Sequence, residues 1–142
     1  MDVNKDTPTC SVSLTGIIET GDADKLESKL KILDHQLSSS GISPLPGGRK
    51  LCLDSQGGSF REALKIASKV IDESITTVVP ADTLCLSSCA VVFMAGGYLG
   101  GENSYFSNRF LHVNGGLTFQ ISYPEKSSDR DSYARLSTMF VT

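Results

Sequence analysis

Residues 53–64 read LDSQGGSFREAL, and two further blocks accompany them, CLSSCAVVFMAGG at residues 85–97 and RFLHVNGG at residues 109–116. In the first block, Lys50–Asp54 has the composition of a short buried strand and runs directly into a Gly-Gly turn. Ser59 and Glu62 then have the S-x-x-E spacing of a capping box, which marks the start of a helix. The inner face of that helix is indicated by apolar residues at helical spacing: Ala63, Ala67, Val70 and Ile71.

Strand and helix patterns continue to alternate on both sides of this unit. The further predicted strands are Ser11–Ile18, Ile75–Val79, Leu84–Leu86 and Arg109–Val113. Three further helices are predicted. The first has Asp22 as its N-cap and one apolar face, formed by Leu26, Leu30, Leu33 and Leu37. The second is the apolar segment Ser88–Ala95, and the third begins at Ser128 and has an apolar face formed by Tyr133, Leu136 and Phe140. Surface loops are predicted at Ser38–Gly48 and Gly96–Gly101, and a flexible segment at residues 1–9. This alternation predicts an α/β fold with a largely parallel sheet, in one domain covering residues 1–142.

Charge and composition narrow the class of function. The chain has 13 basic and 16 acidic side chains, a net charge of −3, and no cluster of Lys or Arg. Without such a cluster a run of phosphates cannot be neutralised, so we expect no nucleic-acid partner. The longest apolar run, Ala90–Gly97, is too short for a membrane span.

Four cysteines, Cys10, Cys52, Cys85 and Cys89, form no C-x-x-C pair. A zinc site is therefore poorly supported, and we expect neither a metal nor another cofactor. Disulfides and buried thiols are the two interpretations that the spacing leaves open.

The three blocks also place polar chemistry beside apolar elements. Gly57 and Gly58 let the backbone come close to a reacting group, and the adjoining helix start directs N–H groups to one point, which suits a developing oxyanion. Ser87 precedes a buried helix, where the N–H of Ser88 can donate, and His112 ends a short apolar strand. These positions suit a nucleophile and its base.

Each of these signals has an ordinary structural explanation. A serine before a helix is most often only the N-cap, and a Gly-Gly after a strand is usually a turn or a phosphate site. A single histidine on an apolar strand, such as His112, is more often a packed core residue, and His35 on a charged helix face is expected to be solvated.

Taken together, the blocks resemble the ClpP/crotonase superfamily, and within it Clp-protease-like serine peptidases. The family pattern corresponds here to Asp54-Ser55-Gln56-Gly57-Gly58, to Leu86-Ser87-Ser88, and to Leu111-His112 followed by Gly115-Gly116. Ser87 lies 29 positions after Gly58, and His112 lies 25 positions after Ser87, as in the family. The C-x-S-x-C frame around Ser87 resembles a branch of predicted periplasmic members.

The resemblance implies a fold, a mechanism and a compartment. The fold would be the repeated β-β-α superhelix of the superfamily. Ser87 would be the nucleophile of a peptidase, His112 its general base, the N–H groups of Gly58 and Ser88 the oxyanion hole, and Gly57 a substrate-binding residue. The protein would be periplasmic or otherwise extracytoplasmic, and it would contain at least one disulfide. The resemblance places Cys10 and Cys52 on neighbouring strands, and Cys85 and Cys89 lie on either side of Ser87.

Two departures from the family pattern matter for activity. Ser88 and Cys89 follow the serine where the family has Met and Gly. The aspartate of the family triad would lie beyond Thr142, so we expect the C-terminal part of the domain to be missing from this chain. Asp129, Asp131 and Glu125 are the carboxylates that could replace it.

Three functions therefore stay open at the level of sequence. The first is a serine peptidase acting on an extended peptide, and the second is a crotonase-like enzyme that polarises an acyl thioester without a nucleophile. The third is a catalytically silent binding or scaffold domain, which the missing aspartate favours. A homo-oligomer is compatible with each of them.

Overall fold

Strands and helices alternate throughout the described part of the protein, which comprises residues 10–41 and 48–119 of a computed structural model. The strands are β1 (Val12–Thr15), β2 (Lys50–Asp54), β3 (Thr76–Val79), β4 (Leu84–Leu86), β5 (Gly97–Leu99), β6 (Tyr105–Ser107), β7 (Arg109–Leu111) and β8 (Gly116–Thr118). The helices are α1 (Asp22–Ser39), α2 (Phe60–Asp72) and α3 (Ser88–Met94), and a 3₁₀ turn lies at Gly101–Asn103. The predicted α/β class is confirmed.

A parallel sheet with the order β1-β2-β3-β7 organises the fold. Strand β8 pairs in parallel with β4, and β5 pairs with β6 antiparallel. A bridge between Ser55 and Cys85 continues β2 onto β4. Since all of these pairings except β5-β6 are parallel, the carboxyl ends of β2, β4 and β7 point the same way, and these are the ends that carry Gly57, Ser87 and His112.

The core lies between the sheet and the helices. Helix α2 contributes Ala63, Ile66, Ala67 and Val70, all of which have no exposed surface. Helix α3 is buried along most of its length, as the apolar sequence predicts. Helix α1 exposes more of its surface and buries Ala23, Leu26 and Leu30, while His35 is exposed as expected.

The capping box at α2 is half confirmed. The Ser59 side chain accepts a hydrogen bond from the Glu62 N–H at 3.1 Å. The reciprocal bond is absent because the Ser59 N–H donates to the carbonyl of Ile18, and the buried Glu62 carboxylate instead accepts the N–H of Ala23 at 2.9 Å. Glu62 thereby joins the start of α1 to α2.

The N-terminal boundaries differ from the prediction. Gly21, with φ +99°, is the N-cap of α1, and Asp22 is already helical. Its carboxylate reaches back to the Glu19 N–H at 2.8 Å rather than forward along the helix. Strand β1 ends at Thr15 because Gly16 turns the chain with φ +84°.

Three short strands that the sequence did not predict, β5, β6 and β8, follow α3. The Gly96–Gly101 segment contains β5, which pairs with β6, and the segment after His112 contains β8. The hydroxyl of Tyr105 in β6 donates to the carbonyl of Ala95, just after α3. The last predicted helix, and the candidate carboxylates Asp129, Asp131 and Glu125, lie outside the described residues.

All four cysteines are paired. Cys10 forms a disulfide with Cys52 on β2, and Cys85 forms one with Cys89, with Cα–Cα distances of 5.6 and 5.2 Å. Across residues 10–41 and 48–119 the structure contains no helix able to cross a membrane. Over the same ranges it contains no group of three metal-ligating side chains.

Candidate active site

Ser87 occupies a sharp bend between β4 and α3. Its backbone has φ +56° and ψ −122°, a conformation that residues other than glycine rarely adopt. The Ser87 N–H donates to the carbonyl of Thr118 in β8 at 3.0 Å, and its carbonyl accepts the N–H of Ala90 at 3.0 Å. The bend is thus held from the strand side and from the helix side.

The ordinary N-cap explanation for Ser87 does not describe this bend. An N-cap residue has extended backbone and its side chain accepts a bond from the first turn. Ser87 has positive φ, and its side chain makes no cap hydrogen bond to α3. A serine strained between strand and helix is the geometry that presents a nucleophile at the end of a sheet.

Gly57 packs directly against this bend. A Cβ at Gly57 would lie 2.9 Å from the Leu86 carbonyl oxygen and 3.0 Å from the Ser87 Cβ. Gly57 also has φ +99°, and its N–H donates to the buried Ser55 hydroxyl at 3.0 Å. Glycine thus permits a close approach between Gly57 and the bend at Ser87. The predicted role of Gly57 in binding substrate stays a prediction.

Gly58 continues the same surface. Gly58 forms a parallel β-bridge with Ile18, and the hydrogen bonds of this bridge are made by the residues on either side of Gly58. The Ile18 N–H donates to the Gly57 carbonyl, and the Ser59 N–H donates to the Ile18 carbonyl. That pattern does not use the N–H of Gly58 itself. On the other side, the Ser88 hydroxyl donates to the Gly58 carbonyl at 3.4 Å. Gly58 is exposed and Ser87 is half-buried, so both can be reached from solvent.

His112 follows β7 immediately rather than lying within it, and its side chain is exposed. Backbone hydrogen bonds join its loop to the end of β3 and to the segment that follows it. The N–H of His112 donates to the Val79 carbonyl, that of Asp82 to the Asn114 carbonyl, and that of Gly116 to the Thr83 carbonyl. The alternative of a packed core histidine is therefore wrong. The proposed pairing of His112 with Ser87 stays a prediction.

The His112 ring is engaged at Nδ1. The backbone N–H of Asn114 donates to this nitrogen at 3.1 Å. A ring nitrogen that accepts a hydrogen bond carries no proton, so the neutral ring has its proton on Nε2. A histidine that takes a proton from serine through Nε2 needs the opposite tautomer, with Nδ1–H held by an acceptor.

The disulfide between Cys85 and Cys89 encloses the bend. Cys85 lies in β4, Cys89 lies in the first turn of α3, and both have no exposed surface. The two cysteines that bracket the candidate nucleophile in the sequence are therefore joined beneath it.

Two residues of the site carry no signal in the sequence. Thr118 holds the Ser87 N–H, and Asn114 holds the His112 ring, both through backbone groups that any residue could supply. Only the pairing of β8 with β4 brings Thr118 to Ser87, and that strand was not predicted.

The arrangement of strands, bend and helices has a counterpart among solved structures. The chain is similar in fold to the ClpP protease catalytic domain of Plasmodium falciparum. The TM-score is 0.56 at 21% sequence identity, and the match covers 91% of this chain and 60% of that one. The predicted ClpP-like fold is thus confirmed, and the chain spans about three fifths of the length of its ClpP neighbour.

Sequence comparison adds no further relationship. No family model matches the chain, and no curated protein matches it. The likeness to ClpP at this identity concerns the fold alone.

Proposed function

We propose that this protein is a serine hydrolase, and specifically a peptidase, with Ser87 as its nucleophile. The observation that carries the proposal is the backbone of Ser87, held at φ +56° between β4 and α3 with Gly57 packed against it. A strained conformation of this kind persists only where the surroundings enforce it, and such residues cluster at active sites.

In the proposed reaction the Ser87 hydroxyl oxygen attacks a peptide carbonyl carbon and its proton passes to His112. The N–H groups of Gly58 and Ser88 would donate to the resulting oxyanion, and Gly57 would lie beneath the bound peptide. His112 returns the proton to the leaving amine, and water then hydrolyses the acyl-enzyme. The exposure of Gly58 and the partial exposure of Ser87 support access for an extended chain.

A second candidate, a catalytically silent binding or scaffold domain of the same fold, is favoured by the contact at His112. With Nδ1 accepting the Asn114 N–H, the neutral ring presents a donor at Nε2, which cannot remove a proton from serine. The peptidase therefore requires His112 to exchange this bond for one to an acceptor such as a carboxylate. The silent domain requires no such exchange.

Labelling with a fluorophosphonate probe tests the proposal. We expect the wild-type chain to label, Ser87→Ala to lose labelling completely, and His112→Gln to label about 100-fold or more slowly because the base is removed. Ser107→Ala, which changes an exposed serine of β6, is the matched control and should label like the wild type. A folded wild-type chain that does not label would exclude the peptidase, and binding of an acyl-CoA would then separate a crotonase-like enzyme from the silent domain. Labelling that survives Ser87→Ala would exclude Ser87.

We also propose that the protein is extracytoplasmic and that it self-associates. Two disulfides that use all four cysteines support an oxidising compartment. The exposed apolar side chains of Phe110 and Val113, beside His112, support a surface that another copy of the chain covers.

A further inference from the structure

The disulfide between Cys85 and Cys89 has Ser87 at the centre of its ring. The two cysteines are four positions apart, and the closed ring contains only residues 85–89. The bond therefore joins the strand that leads into the bend to the helix that leaves it.

Each end of this ring is fixed to a different part of the fold. Cys85 lies opposite Leu117 of β8 and bridges Ser55 at the end of β2, so its strand has a neighbour on both sides. Cys89 has no exposed surface and belongs to α3, which packs against α2. A covalent link between two anchored positions fixes the angle at which the chain turns between them.

The other disulfide provides a contrast within the same molecule. Cys10 and Cys52 are 42 positions apart, so their bond restricts the unfolded chain strongly. The ring at residues 85–89 restricts far less of the unfolded chain, since this effect grows with loop length. What the short ring does restrict is the local backbone around Ser87.

We propose that Cys85 and Cys89 are positioning residues, and that their disulfide holds Ser87 in the backbone conformation needed for attack. A positive φ at serine is unfavourable and relaxes unless its surroundings oppose the relaxation. Packing of Gly57 opposes it from one side of the bend, and the disulfide opposes it along the chain. The catalytic consequence rests on the proposed hydrolase function, whereas the conformational consequence does not.

The experiment compares Cys85→Ala/Cys89→Ala with the control Cys10→Ala/Cys52→Ala in the full chain. At a temperature where both are folded by circular dichroism, we expect the first variant to react with fluorophosphonate about 100-fold more slowly, because small misplacements of a reacting group have effects of this size. The control should react within about twofold of the wild type while losing more thermal stability. Equal slowing of both variants, in proportion to their loss of folded protein, would overturn the proposal.

A readout independent of activity keeps the two proposals separate. The three-bond coupling between the amide and α protons of Ser87, together with its Cα chemical shift, reports φ. We expect φ to move to negative values in Cys85→Ala/Cys89→Ala and to stay positive in the control. If Ser87 keeps its positive φ without the disulfide, the positioning role is excluded even where the wild type labels. If φ moves and the wild type does not label, the proposed function fails and the positioning role stands.

A second variant guards against a loss of folding. Cys85→Val/Cys89→Ala retains more apolar volume in the buried site on β4 and lacks the disulfide equally. It should show the same movement of φ and the same slowing as the double alanine variant. A folded protein with wild-type φ in this variant would contradict the proposal as directly as the first result.

Discussion

Gly57 is the single residue on which the bend at Ser87 depends most closely. A methyl group there would meet the Leu86 carbonyl oxygen and the Ser87 Cβ at 3.0 Å or less, and φ +99° is unfavourable for any side chain. We expect Gly57→Ala to lower the free energy of unfolding by about 1–3 kcal/mol and to abolish fluorophosphonate labelling by displacing Ser87.

Gly101→Ala is the matched control, because a Cβ there meets nothing within 4 Å and its φ is not positive. Urea unfolding monitored by circular dichroism gives the stability of both variants. If Gly57→Ala matched Gly101→Ala in stability and labelling, the close packing described here would be incorrect.

At the scale of single residues, the sequence predicted which residues lie at the bend but not the hydrogen bonds that hold them. The positions of Gly57 and Ser87 at the turn between a strand and a helix follow from short motifs, since a glycine pair and a serine before a helix limit the backbone locally. The hydrogen bond from Asn114 to the His112 ring is donated by a backbone N–H in a turn, so no residue type in the sequence indicates it. The tautomer of His112 therefore could not be predicted.

At the scale of elements, the C-terminal end of α3 is fixed by side chains from three strands. Thr77 of β3, Arg109 of β7 and Tyr105 of β6 donate to the carbonyls of Phe93, Met94 and Ala95 respectively. The last carbonyls of a helix have no partner within it, so these bonds replace water at a largely buried end. They orient the helix whose first turn begins at Ser88.

The buried phenol of Tyr105, which makes one of these bonds, causes the stability to depend on pH. Burial raises the pKa of Tyr105 to about 12, although the Arg109 guanidinium acts in the opposite direction. The unfolded chain releases this proton near pH 10, earlier than the folded protein. The stabilisation is therefore complete below about pH 10 and is lost as the pH rises towards 12.

Urea midpoints measured between pH 8 and pH 12 test this dependence. We expect the midpoint of the wild type to fall above about pH 10, and Tyr105→Phe to start lower and fall less. Equal slopes for the two proteins would show that Tyr105 does not titrate as described.

The elements that the sequence predicted are those with strong local patterns. Strand β2 and the start of α2 have a compact apolar run and a serine cap, and the structure gives both at the predicted residues. Strands β6 and β8 have three residues each and no alternation of apolar and polar side chains, so only their partners define them. The placement of Thr118 at the site depends on the pairing of β8, so it could not be predicted.

For the whole molecule, the bond between Cys10 and Cys52 joins the segment just before β1 to β2, an inner strand of the sheet. Its two ends are 42 positions apart, which corresponds to about 4 kcal/mol of stabilisation from the restricted unfolded chain. We expect Cys10→Ala/Cys52→Ala to lose about this much in urea unfolding, and Cys85→Ala/Cys89→Ala to lose about 2 kcal/mol. A reversed order of the two losses would contradict this division between global and local roles.

The burial of Cys85 and Cys89 has a consequence for how the protein is made. Neither residue exposes any surface in the folded chain, so an oxidant can reach the thiols only before α3 packs or during a transient opening. A chain that folds while its cysteines are reduced encloses two thiols beneath Ser87, and their later oxidation is limited by the rate of such openings. The redox conditions during biosynthesis then decide whether this bond forms, and two preparations of identical sequence and similar fold can differ in whether the bend at Ser87 is covalently closed.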